Sequence, residues 1–286
     1  MMRKGDVDML AALCVAEKPP RMLKRRLWRV RREESVRSEF VQAGSGRYLR
    51  ITAVPGRDGE LDWAEIRRLA GGEAGRLLMP KGIRPPEGVG IRPFRGAALQ
   101  RELMLSTALH LLRTASIPPR HVRIGIYDPN ALVPQLAAVF LPYAADVRVV
   151  TARMEAYAVQ EQLAMDNYGA TLPMSREPEA LNGSTLLLAP EGIGHVFPRV
   201  RGLILSGVPE MHAGVVGGYV PQTTPACLAA LPQGCDPWEF LAGLYERSGM
   251  RELVRRPPAL LYINGHSITM RDAAWKLTGL DIGISV

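Results

Sequence analysis

Between His121 and Ser206, short apolar runs of strand character alternate with segments of helical length, and this alternation constrains the fold more than any other feature of the chain. The strands read as His121 to Tyr127, Asp146 to Thr151, Gly169 to Met174, Ser184 to Ala189 and Arg201 to Ser206, with helices from Asn130 to Tyr143 and from Met154 to Asn167. Parallel strands need crossovers of about this length, and such crossovers are right-handed. The run Thr185-Leu186-Leu187-Leu188 has no polar face, which suits a strand covered on both sides. The chain therefore predicts an α/β fold with a parallel sheet in the order 3-2-1-4-5. Val122 to Tyr127 lies at its centre, because the first strand must border the point where the winding reverses.

The flanking residues predict three regions. Residues 1–38 read as a basic helical arm, with Leu23, Leu27 and Val30 forming a narrow apolar stripe. Residues 39–117 read as an N-terminal α+β region. In it, Ala43-Gly44-Ser45-Gly46 turns a β-hairpin, Asp62 caps a short helix through Leu69, and a longer helix runs from Gly96 to Thr114. Residues 118–286 hold the sheet, then a glycine-rich loop from Gly207 to Gly218 and helices from Trp238 to Ser248 and Thr269 to Leu277.

Composition excludes several classes. Hydrophobic residues make up 47% of the 286 and charged residues 22%, ordinary for a globular chain. The longest apolar stretch, Ala131 to Phe140, is broken by Pro134 and falls short of a membrane span. Met9 to Val15 is too brief for a secretory leader, so a cytoplasmic location is expected. Cys14, Cys227 and Cys235 lack a CxxC spacing, and the five histidines form no HxxxH or HExxH pair, so no metal site is signalled. The net charge of +8 is concentrated: eight basic residues, among them Arg21, Lys24, Arg25, Arg26, Arg29, Arg31 and Arg32, face only Glu33 and Glu34 between positions 21 and 37. Such a run reads either as a solvated helix face or as a contact for nucleic acid or an anionic surface.

The strand Val122 to Tyr127, the second strand Val147 to Val150 followed by Thr151-Ala152-Arg153, the Tyr168-Gly169-Ala170 step, and Leu181-Asn182-Gly183-Ser184-Thr185 before the fourth strand carry a resemblance. This segment resembles the NADP-binding Rossmann domains of the shikimate dehydrogenase and glutamyl-tRNA reductase kind. The resemblance covers about a third of the chain. It implies a Rossmann-like domain and assigns Arg153 to the adenosine 2′-phosphate of NADP. The first turn departs from the pattern. Where such families place glycines, this chain has Tyr127-Asp128-Pro129-Asn130-Ala131. Asp128 brings negative charge to the pyrophosphate position, and Pro129 has no N–H to donate.

Asp128, Asn130 and Arg153 are the candidate cofactor- or ligand-binding residues. Alternatively, Asp128 or Asn130 caps the helix to Tyr143, and its replacement by Ala costs about 1 kcal/mol. For proton chemistry the candidates are His195, which follows a strand end near the expected cleft, and Glu191, its nearest carboxylate in sequence. Three functions stand open: a non-catalytic binding or interaction protein on a degenerate Rossmann-like domain without cofactor, an NADP-dependent oxidoreductase with an atypical first βα turn, and a nucleic-acid-associated protein using the basic arm.

Overall fold

In the computed structural model the described residues are 9–16, 35–56, 58–194, 198–222 and 224–278. The strands and helices, in chain order, are β1 (Ala11–Val15), β2 (Val36–Ala43), β3 (Gly46–Ala53), α1 (Trp63–Ala70), α2 (Ala98–Thr114), β4 (Arg123–Tyr127), α3 (Leu136–Phe140), β5 (Asp146–Val150), α4 (Ala158–Tyr168) and β6 (Met174–Ser175). They continue as β7 (Leu186–Ala189), β8 (Leu203–Ser206), β9 (Val215–Val220), α5 (Thr224–Leu228), α6 (Pro237–Arg247), α7 (Glu252–Arg255), β10 (Leu260–Ile263), β11 (His266–Ile268) and α8 (Met270–Leu277). The chain divides into two compact units, Met1–Leu99 with Thr223–Leu253, and Gln100–Gln222 with Val254–Val286.

In the first unit β2 and β3 form an antiparallel hairpin, paired from Val36↔Ala53 to Ala43↔Gly46. Gly44 turns it at φ +58°, a conformation that suits a residue without Cβ. β1 lies parallel to β3, from Ala11↔Leu49 to Val15↔Ala53. Over residues 11–15 this strand replaces the helical arm expected there: Ala11 and Leu13 are fully buried in one cluster with Ile51, Ile66 and Leu77 and supply core. The basic residues Arg21, Lys24, Arg25, Arg26, Arg29, Arg31 and Arg32 lie outside the described residues. Asp62 caps α1, its Oδ1 accepting the Glu65 N–H at 3.0 Å.

Residues 223–253 belong to this unit and not, as the sequence boundary at residue 117 implied, with the sheet that follows. Packing explains the difference. Phe240 meets Tyr48 edge-on at 5.2 Å, the Tyr48 hydroxyl donates to the Ala230 carbonyl at 2.7 Å, and a Cβ at Gly243 would stand 2.6 Å from Leu10 Cδ1.

The second unit is mixed α/β, built on an eight-stranded sheet in the order β11-β10-β9-β8-β7-β4-β5-β6. Pairing is parallel from β6 to β9, and β10 and β11 add antiparallel. β4 is hydrogen-bonded between β5 and β7. Ile124, Ile126, Leu186, Leu187, Leu188 and Leu205 are fully buried, the burial expected of strands covered on both faces. Val215–Val220, expected as glycine-rich loop, is a strand. Gly217 serves close backbone approach, since a Cβ there would fall 2.0 Å from the Glu210 carbonyl oxygen. Among the described residues, no helix is long and apolar enough to cross a membrane.

Gly125, in the centre of β4, is similarly constrained: a Cβ there would meet Ser184 Oγ at 2.8 Å and Leu187 Cδ1 at 3.0 Å. Gly125→Ala is expected to lose about 1–3 kcal/mol through overpacking. Thermal and urea unfolding by circular dichroism measure this, and a variant as stable as the parent would contradict the packing described.

Candidate functional site

β4 ends at Tyr127, and the next residue keeps the chain on the sheet, the Asp128 N–H donating to the Val150 carbonyl at 3.0 Å. The Asp128 side chain is fully buried. Its Oδ1 accepts the Leu132 N–H at 2.8 Å, and its Oδ2 accepts the Val133 N–H at 3.0 Å and the Tyr157 hydroxyl at 2.7 Å. The turn is tight enough to hold Ala131, a residue with a Cβ, at φ +53°.

These bonds correct the expected capping. The helix begins at Leu136, not Asn130, and after Phe140 it tightens into a 3₁₀ turn over Leu141–Tyr143. Pro134 disfavours helical geometry at Val133, and Pro142 lacks the N–H that would continue the helix. Asp128 therefore satisfies the N–H groups of the turn that precedes α3, and it does so from the interior.

Asn130 does not cap a helix. Its backbone N–H donates to Glu191 Oε2 at 3.2 Å, and its Nδ2 lies 3.1 and 3.0 Å from the two carboxylate oxygens. This clamp ties the turn after β4 to the turn after β7. The Glu191 carboxylate is thus engaged by Asn130, while His195 lies outside the described residues. Arg153 follows β5 with its side chain exposed, and its backbone N–H donates to Thr151 Oγ1 at 3.1 Å.

Two residues of the site were not foreseen. Glu210, beyond β8, accepts the backbone N–H groups of Ile193 at 2.9 Å and Gly194 at 3.2 Å on Oε1. Gly192 makes room for it, since a Cβ there would stand 2.6 Å from that oxygen. Glu210 Oε2 is buried and has no hydrogen-bond partner among the described residues. The second is Tyr157, whose hydroxyl is held well above the ordinary tyrosine value by burial and then by its bond to Asp128. Tyr219 is raised likewise, by burial and then by the charge of Glu210.

Five backbone N–H groups in the turns after β4 and β7, those of Asn130, Leu132, Val133, Ile193 and Gly194, donate to three of the protein's own carboxylates. Converging N–H groups at the carboxyl ends of parallel strands are where α/β sheets hold anions. Here the anions are side chains.

No family model and no curated protein matches the sequence. Among solved structures, L-tryptophan dehydrogenase from Nostoc punctiforme is similar over 80% of this chain and 75% of its own, at 11% identity and a TM-score of 0.31. Similarity at that level carries no argument about what this chain does.

Asp128→Ala strands two N–H groups and a buried hydroxyl, so the expected loss is on the order of 3 kcal/mol rather than that of one exposed cap. Tyr157→Phe removes one bond and is expected to cost about 1 kcal/mol. A hydroxyl whose pKa is raised by folding contributes stability that is complete below its unfolded value, about 10, and is lost as pH rises beyond it. Unfolding between neutral pH and pH above 10 should therefore show a shallower alkaline fall in Tyr157→Phe than in the parent. Equal slopes would remove Tyr157 from the buried network.

Proposed function

We propose that this chain is a non-catalytic binding or interaction protein, built on a Rossmann-like domain whose nucleotide-binding turn is closed by an internal anion. Counted from β4 in chain order, the strands β4 to β8 read 3-2-1-4-5, which makes the turns after β4 and β7 the place where a dinucleotide would lie. The observation that carries the proposal is the buried Asp128 carboxylate on the N–H groups of Leu132 and Val133. A pyrophosphate entering this turn would have to displace that carboxylate and then lie beside its charge. Depriving a buried carboxylate of its hydrogen-bond donors is strongly unfavourable, and like charges side by side add to the cost. Glu191, on Asn130 at the surface, and Glu210, on Ile193 and Gly194, engage further N–H groups of these turns.

The competing assignment, an NADP-dependent oxidoreductase, draws on Arg153, whose exposed guanidinium follows β5 where a 2′-phosphate would be met. An arginine at the adenosine end does not open the pyrophosphate turn, so the non-catalytic reading is preferred.

Differential scanning fluorimetry with millimolar NAD(H) and NADP(H) separates the two. A ligand at about a hundred times its Kd stabilises the folded state by roughly 2.7 kcal/mol, several degrees in Tm for a chain of this size. The expected result is an unchanged Tm with all four nucleotides, and a saturable rise with NADP(H) would overturn the proposal.

A further inference from the structure

The first unit carries a surface the sheet does not explain. A groove of about 840 Å³ runs over the start of β1, the middle of β2 and the segment after α1, and a second of about 580 Å³ is lined by residues between Pro93 and Ala98 and at the end of α6. Arg76 and Arg247 line both. Arg47 lines the larger groove and Arg251 the smaller. Arg247 is held rigidly, its Nε and Nη2 paired with the Glu73 carboxylate at 3.0 and 2.7 Å, and both side chains are largely buried.

Arg47, Arg76 and Arg251 are exposed and have no carboxylate partner among the described residues. Two of them lie over rings: Arg47 Cζ is 5.7 Å from the Phe40 centroid, and Arg251 Cζ is 4.6 Å from that of Tyr245. Stacking uses the face of a guanidinium and leaves its N–H edge for bidentate contact with a phosphate. Phe40 remains 61% exposed on β2, a large apolar ring at the mouth of a cationic groove.

We infer that this unit binds single-stranded nucleic acid along the two grooves, with Arg47, Arg76 and Arg251 contacting backbone phosphates and Phe40 offering its ring to a base. Three features select this occupant. The cations are distributed along a track rather than gathered at one point, which suits a polyanion over a single phosphate. One exposed ring, Phe40, stands beside Arg47, the combination that holds an unpaired base without reading sequence, whereas the Tyr245 ring under Arg251 is buried. The arginines line concave grooves of about 840 and 580 Å³ rather than a flat face, which suits one flexible strand better than a duplex. The site is independent of the closed turns in the other unit, so either proposal can fail alone.

The test uses the full chain and a fluorescein-labelled oligothymidylate, with fluorescence anisotropy across a salt series. Duplex DNA of the same length and poly-L-glutamate serve as competitors. The parent is expected to bind in a salt-dependent way, with the oligothymidylate preferred to both competitors. The triple variant Arg47→Ala/Arg76→Ala/Arg251→Ala should lose about tenfold or more at low salt, and the slope of log K against log salt should fall by about 2, from roughly 0.7 per phosphate contact on a single strand. Phe40→Ala should weaken binding while leaving that slope unchanged. All four positions are exposed, so unaltered melting of the variants is the folding control. Undetectable binding by the parent, or equal displacement by poly-L-glutamate or by duplex, would overturn the inference. So would full binding by the triple variant, which would move the contact to another surface such as Arg21 to Arg32.

Discussion

A buried carboxylate that cannot reach water must find its donors inside the protein, and the structure around the end of β4 is arranged to supply them to Asp128. Two come from the backbone of the turn itself, at Leu132 and Val133, and one from Tyr157, just ahead of α4. The chain between Asp128 and Val133 is thereby pinned at both ends. Its path is set before α3 begins at Leu136, and Ala131 is held in a left-handed conformation that a free loop would leave. The same carboxylate joins the end of β4, which stands third from one edge of the sheet rather than at the expected centre, to the crossover that follows β5.

This arrangement inverts the chemistry of a phosphate-binding turn. There, glycines let the backbone approach a ligand that brings the negative charge. Here the charge is covalently part of the chain, and glycine is used at Gly192, where its missing Cβ admits Glu210. Glu191 and Glu210 are contributed by the segments after β7 and β8, so the closure joins several turns of the sheet. One oxygen of Glu210 is buried and lacks a hydrogen-bond partner among the described residues.

Much of the frame was legible because it rests on local patterns. Leu186 to Leu188 read as a strand covered on both faces, Gly44 as a hairpin turn and Asp62 as a cap, and each depends on neighbours in sequence. The failures have equally specific causes. β1 is short and lies next to the basic run, so its burial is visible only through its partner β3. β9 carries the loop signature of two adjacent glycines, Gly217 and Gly218, whereas the first of them lets two backbones touch. The helix after β4 is shorter than the expected span from Asn130 to Tyr143 because Pro134 and Pro142 limit it at both ends. Tyr157 and Glu210 could not have been found that way, since each meets its partner across 29 and 17 residues respectively.

The claim that internal carboxylates occupy these N–H groups concerns individual amides, and amide-resolved NMR addresses it directly. Hydrogen exchange and an NADPH titration followed in ¹⁵N–¹H spectra would report on Leu132, Val133, Ile193 and Gly194. Slow exchange at Leu132 and Val133, accelerated in Asp128→Ala, with all four resonances unmoved by NADPH, is the expected result. Fast exchange in the parent protein, or saturable shifts of these four amides with added NADPH, would contradict it.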